Sequence, residues 1–187
     1  MGGVRWVQLR LKDLPYETHK AIALETQVVC SYYNAQLIIN DHVQLAVAIN
    51  ADGVHLGKTD MAPAEARRLL GHGKIIGSTA NTLQDILALA QQPIDYIGLG
   101  PFRFTTTKQN LSPILGLDGY AALLGALKTA GVHHPPIVGI GGVALPDVAA
   151  LLLSGLHGIA VSGAISAQPD VKLAAQQFSE ALQMVTL

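Results

Sequence analysis

A single cysteine, Cys30, stands in 187 residues, which excludes a disulfide framework and a cysteine-built zinc cluster. Charge is also scarce. Asp, Glu, Lys and Arg make up 13% of the chain, the net charge is −1, and no basic run occurs, which argues against a nucleic-acid surface. No apolar stretch reaches the roughly 18 residues of a membrane span. The opening "MGGVRWVQLR" lacks the basic-then-apolar design of a signal peptide, so a cytoplasmic protein is expected. The seven histidines show neither HxxxH nor HExxH spacing, which argues against histidine-held metal. No Pro/Ser-rich linker or shift of composition divides the chain, which predicts one domain over 1–187.

What is present is a large core, since half of the residues are hydrophobic. Short strand-like runs at 5–9, 36–39, 53–56, 74–76, 96–99, 137–140 and 158–161 alternate with helical segments. The helices are expected near 15–33, 42–50, 63–71, 81–90, 118–130, 146–154 and 171–185. Asp41, Pro63, Asn81, Asp118 and Pro146 are the expected helix-start residues. Strand, helix, strand with short connections predicts a parallel α/β sheet. "ADGVHLG" (51–57), "IDYIGLG" (94–100) and "LHGIAVSG" (156–163) echo one another, as repeated βα units would. Polar residues follow the C-terminal end of strand after strand, which favours a TIM (β/α)8 barrel, where all strand ends meet, over an open sheet.

In "VQLRLKD" (7–13), Val7, Leu9 and Leu11 share one face and Gln8, Arg10 and Lys12 the other. A polar face on a buried parallel strand is costly unless it meets a ligand, so Arg10 and Lys12 are candidate anion holders. "LIINDHV" (37–43) ends a strand on Asn40-Asp41, and "HLGKTDM" (55–61) puts Asp60 beyond the next. Two such carboxylates suit one Mg²⁺ completed by phosphate and water, although Asp41 also fits the role of a helix cap. "GLGPFRFTTTKQN" (98–110) joins Thr105, Thr106 and Thr107 to Lys108, a good cradle for phosphate. "VGIGGVALPD" (138–147) and "GIAVSGAIS" (158–166) each give a strand, a tight turn and a helix, whose backbone N–H groups suit a second phosphate. His55 reads as a satisfied core residue and Cys30 as helix core.

These stretches, in this order and spacing, resemble the thiamine-phosphate synthase family, with "GPFRFTTTK" the most specific of them. The resemblance implies a TIM barrel that joins hydroxymethylpyrimidine diphosphate to hydroxyethylthiazole phosphate, giving thiamine phosphate and diphosphate. It implies Gln8 and Ser78 at the pyrimidine; Arg10, Lys12 and Asn40 on the diphosphate; and Asp41 and Asp60 on Mg²⁺. Thr105, Thr107 and Lys108 would bind the phosphate-bearing substrates, with Lys108 reaching the diphosphate. Gly142 and the Ser162-Gly163 backbone would hold the thiazole phosphate.

The pattern departs from the family at Leu11, where Glu is common, and at Gly163, where a serine is usual. The chain also opens at what reads as the family's second strand, so the expected barrel lacks its first strand and a homo-oligomer covering the gap is expected. Two alternatives stand beside the synthase, apart from an isomerase or epimerase on a phosphate-binding barrel, which would need a catalytic acid/base pair that the sequence does not offer. One is a non-catalytic phosphate-ligand-binding barrel. The other is a paralogue of the thiazole tautomerase kind, against which Asn81 stands where those proteins carry histidine.

Overall fold

The computed structural model describes residues 2–104 and 113–185. Packing divides them into two compact units. The first spans Arg5–Thr79 together with Gln92–Asp95. The second holds Ala80–Gln91 and the described residues from Tyr96 onward, with residues 2–4.

In the first unit the elements run β1 (Trp6–Leu9), α1 (Tyr16–Tyr32), β2 (Gln36–Asn40), α2 (Val43–Ala48), β3 (Gly53–Leu56), α3 (Pro63–Leu70) and β4 (Ile75–Ala80, whose last residue belongs to the second unit). Strands β1 to β4 pair in parallel and in chain order. Leu37, Ile38, Ile39, Val54, Leu56 and Ile76 are buried, giving the continuous apolar runs that a parallel sheet covered on both faces requires. Each such side chain contributes on the order of 1.5–3 kcal/mol by leaving water. β1 differs: Trp6 and Gln8 are exposed while Val7 and Leu9 are half-buried, which is the expected alternation.

The second unit runs α4 (Leu83–Leu89), β5 (Tyr96–Leu99), α5 (Gly116–Thr129), β6 (Ile137–Ile140), a 3₁₀ turn (Leu145–Asp147), α6 (Val148–Leu153), β7 (Gly158–Ala160), α7 (Gly163–Ser166) and α8 (Val171–Val185). β5, β6 and β7 are again parallel and in chain order. Ile97, Leu99, Tyr120, Leu127, Ile137 and Leu151 form its core. The buried Tyr120 hydroxyl donates to the Leu99 carbonyl, and burial pushes its pKa upward.

The echo in the sequence has a physical basis. Asp52 stands just before β3; its N–H donates to the Leu37 carbonyl at 3.0 Å and its carboxylate accepts from the Leu37 N–H at 2.7 Å. Asp95, before β5, clasps Ile76 in the same two-way manner at 2.7 and 2.7 Å. His157, before β7, does so to Ile137 through its N–H at 2.9 Å and Nδ1 at 3.1 Å. Each residue satisfies both backbone groups at the start of the preceding strand, where a buried orphan would be costly.

Several boundaries differ from the sequence reading. β4 runs to Ala80 rather than stopping near Ile76, because Ser78 and Thr79 are buried strand residues and not a turn. Helix α2 is not capped by Asp41; its N-cap is His42, which makes no side-chain capping bond. Helix α4 starts from Thr82 and not Asn81: the Thr82 hydroxyl accepts from Asp85 N–H at 3.1 Å, and the Asp85 carboxylate accepts from Thr82 N–H at 2.9 Å. The four-residue α7 has no counterpart in the periodicity. Cys30 is buried on α1, as expected of helix core, and burial first and Asp52 second push its thiol up. Among the described residues, no helix is long and apolar enough to cross a membrane.

Candidate active site

Seven of the expected site residues fall in the first unit, Gln8 and Ser78 within β1 and β4 and the others at or beyond the C-terminal ends of β1 to β3. Registers that pair Asn40 with His55 and Leu56 with Ser78 bring them to the same end of the sheet. Gln8 is exposed on β1, and Arg10 and Lys12 follow that strand. Asn40 is buried as the last residue of β2.

Asp41 comes next, at a φ of +68°, with its N–H donating to the His55 carbonyl at 2.9 Å. That left-handed turn is the reason it does not cap α2. The carboxylate is directed instead to the Lys12 ammonium, with which it forms an ion pair. Asp60 lies in the turn after β3 and accepts from the Gly57 N–H at 2.6 Å. Gly57 permits this approach, since a Cβ there would stand 2.9 Å from the Asp60 Oδ2.

The Asp41 and Asp60 carboxylates lie within hydrogen-bonding reach of one another, and their surroundings push them apart in acidity. Burial works against ionisation of Asp41, but the bond with Asp60 and the Lys12 and Arg10 charges outweigh it and hold its pKa low. Asp60 is raised, by burial first and by Asp41 second. Two carboxylates brought together from neighbouring strand ends are hard oxygen donors of the kind that suits a small divalent cation.

Ser78 is buried in β4 with its hydroxyl donating to the Leu56 carbonyl at 3.3 Å. His55 is the expected satisfied core histidine, its Nε2 3.0 Å from the Thr79 hydroxyl.

The second unit carries the remaining candidates. Gly141 and Gly142 follow β6 at φ of +84° and +72°. Ser162 and Gly163 follow β7; both are exposed, and Ser162 is the N-cap of α7 without a side-chain capping bond. Thr105, Thr107 and Lys108 lie outside the described residues.

The family model described as thiamine monophosphate synthase matches residues 1–165. The chain belongs to this family. It is 49% identical over 169 residues to the thiamine-phosphate synthase of Bacteroides fragilis, covering 90% of this chain and 82% of the relative. Against the thiamine-phosphate synthase of Flavobacterium johnsoniae it is 48% identical over 181 residues, 97% of this chain and 85% of the relative. A solved thiamine phosphate pyrophosphorylase from Pyrococcus furiosus matches with a TM-score of 0.85 at 28% identity, covering 98% of this chain and 85% of that one. The fold is accordingly a TIM-like α/β fold with parallel strands.

Membership in the thiamine monophosphate synthase family makes the chain an enzyme, and it favours the synthase over a merely phosphate-binding barrel. The Asn81 side-chain amide donates to the Gly100 carbonyl. Sequence reasoning missed one constellation. Arg103 grips Asp147, 44 residues away, and also donates to the Gly142 carbonyl. No periodicity or motif pairs two residues so far apart.

Proposed function

We propose that the chain condenses hydroxymethylpyrimidine diphosphate with hydroxyethylthiazole phosphate, forming thiamine phosphate and releasing diphosphate. The observation that carries this reading is the Asp41–Asp60 carboxylate pair set against Lys12, with Arg10 acting on the same carboxylate. A lone anion site would need no carboxylates. A pair of them beside cations suits a metal-bound diphosphate.

In the reaction, the bond between the pyrimidine methylene carbon and the diphosphate oxygen breaks, and its electron pair leaves with the diphosphate. The thiazole nitrogen then bonds to the methylene carbon. Arg10, Lys12 and Lys108 counter the charge that grows on the leaving oxygen, a contribution largest in the transition state. Asn40 orients the diphosphate, and Gln8 and Ser78 orient the pyrimidine. Asp41 and Asp60 would hold Mg²⁺, which when bound neutralises diphosphate charge as a Lewis acid. Among the described residues no cluster of three or more metal-ligating side chains occurs, so an ion held by Asp41 and Asp60 would need phosphate and water to complete its shell. Thr105 and Thr107 contribute hydroxyls to phosphate binding. The backbones at Gly142 and at Ser162-Gly163 hold the thiazole phosphate.

The same reading takes 1–187 as one barrel domain of a cytoplasmic homo-oligomer. Leu24, Val28 and Tyr32, spaced four apart on α1 and 42%, 70% and 77% exposed, support self-association.

The test follows diphosphate release with both substrates and Mg²⁺. Release should require all three, and Asp41→Ala and Asp60→Ala should each lower turnover by about 10²-fold or more while the protein stays folded. Wild-type turnover in either variant at limiting Mg²⁺ would remove that residue from the metal site.

A further inference from the structure

The double-glycine turn after β6 is held from outside by one side chain. Arg103 Nη1 donates to the Gly142 carbonyl at 3.0 Å. The same guanidinium meets Asp147 two-pronged, Nη1 to Oδ2 and Nη2 to Oδ1, both at 2.8 Å. Asp147 Oδ2 also accepts from the Ala144 N–H at 2.8 Å, so the carboxylate ties the guanidinium to the chain that leaves the turn. The backbone repeats the link: Phe102 N–H donates to the Ile140 carbonyl and Arg103 N–H to the Gly141 carbonyl, both at 2.9 Å. The guanidinium carbon lies 4.7 Å from the centre of the Phe102 ring, which limits its swing.

These contacts leave the turn little freedom. A Cβ on Gly141 would stand 2.8 Å from Pro101 Cβ, and one on Gly142 would stand 2.9 Å from the Arg103 and Phe104 carbonyl oxygens. The Gly142 carbonyl is drawn toward Arg103. Because a trans peptide sets C=O and N–H on opposite sides, the Val143 N–H of the same plane is directed away from it. An anion approaching the turn on that side meets N–H groups whose orientation the guanidinium has set. The bond with Arg103 lowers the pKa of Asp147 below the ordinary carboxylate value, so the fork stays charged across the neutral pH range.

We propose that Arg103, locked by Asp147, is a positioning residue that fixes the Gly142–Val143 peptide plane so that the turn binds the phosphate of the thiazole substrate. This rests on the assignment of the Gly142 turn to that phosphate. Arg103 does not itself touch substrate. Its guanidinium is engaged by a carboxylate and a carbonyl, and a lysine ammonium cannot reproduce the two-pronged contact.

Arg103→Ala, Arg103→Lys and Asp147→Asn should each raise KM for the thiazole phosphate, about tenfold for Arg103→Ala, the scale of losing an interaction of this kind. KM for the pyrimidine diphosphate should hold, and the loss should sit in KM more than in kcat. Lysine should fail to rescue, whereas methylguanidine added to Arg103→Ala should restore part of the affinity. Melting temperatures of the variants separate this from a general loss of structure. Equal shifts in both KM values, rescue by lysine, or a lowered melting temperature with both KM values unchanged would overturn the positioning role.

Calorimetry with inorganic phosphate supplies a readout independent of turnover. If the wild-type protein formed no thiamine phosphate, the functional reading would fail by itself. Weaker phosphate binding in Arg103→Ala would still support the clamp, and unchanged binding would overturn it.

Discussion

Lys12 and Asp41, 29 residues apart, form an ion pair between the chain leaving β1 and the chain leaving β2. Asp41 is thereby held between an ammonium and a second carboxylate, that of Asp60, and the two acids answer pH in opposite ways. Asp60, with its pKa raised in the folded protein, contributes stability that is complete below the ordinary carboxylate pKa and is lost as pH rises through the raised value. Asp41, with its pKa lowered, contributes stability that is present above the ordinary value and lost as pH falls through the lowered one.

Without metal at neutral pH, Asp60→Asn should therefore melt at a higher temperature than the wild type. The difference should shrink as pH approaches the ordinary carboxylate value of about 4. Added Mg²⁺ should raise the wild-type melting temperature and leave that of the variant nearly unchanged. Thermal melts in chelator and in Mg²⁺ across this range check both statements; a metal-free wild type more stable than the variant at neutral pH would contradict them.

The clasps before β3 and β5 can be tested for stability alone. Asp52→Ala leaves the Leu37 N–H without its carboxylate and should cost about 1–3 kcal/mol. Asp52→Asn, which keeps an acceptor oxygen, should cost less. Urea unfolding of the three proteins gives the order directly.

At Gly142 a methyl group would meet Arg103 and Phe104 backbone oxygens at 2.9 Å while the residue sits at positive φ. Gly142→Ala should destabilise by about 1–3 kcal/mol. Gly125, inside α5, where a Cβ would meet nothing within 4 Å beyond its chain neighbours and the helix's own backbone, makes the control. Gly125→Ala should be neutral or stabilising by up to about 1 kcal/mol.

Lys108→Ala should lower kcat more than it raises KM, because a charge that meets the leaving group as it departs acts mainly in the transition state. Steady-state kinetics on both substrates decides it. A rise in KM with kcat intact would make Lys108 a plain binding residue.

Much of this was legible because buried parallel strands leave a plain trace. Gly53–Leu56, Tyr96–Leu99 and Ile137–Ile140 have the bounds read from their apolar runs. β4 was less legible, since Gly77, Ser78 and Thr79 have the composition of a turn and are held in the strand only by neighbours such as Leu56 and His55. The cap reading of Asp41 failed for a related reason: composition offered a good cap, while the left-handed turn and the Lys12 ammonium gave the carboxylate another use. The repeated sequence echo was visible, but its cause was not, because a reciprocal clasp such as that of Asp95 on Ile76 joins residues 19 apart. Arg103 and Asp147 had no signal, as their pairing exists only once β6 and its neighbouring chain are in place.

Mass spectrometry of the purified protein incubated with hydroxymethylpyrimidine diphosphate, hydroxyethylthiazole phosphate and Mg²⁺ decides the assignment. Thiamine phosphate and diphosphate should appear in equal amounts, and only when both substrates and the metal are present. No thiamine phosphate, or diphosphate released at full rate without the thiazole, would contradict it.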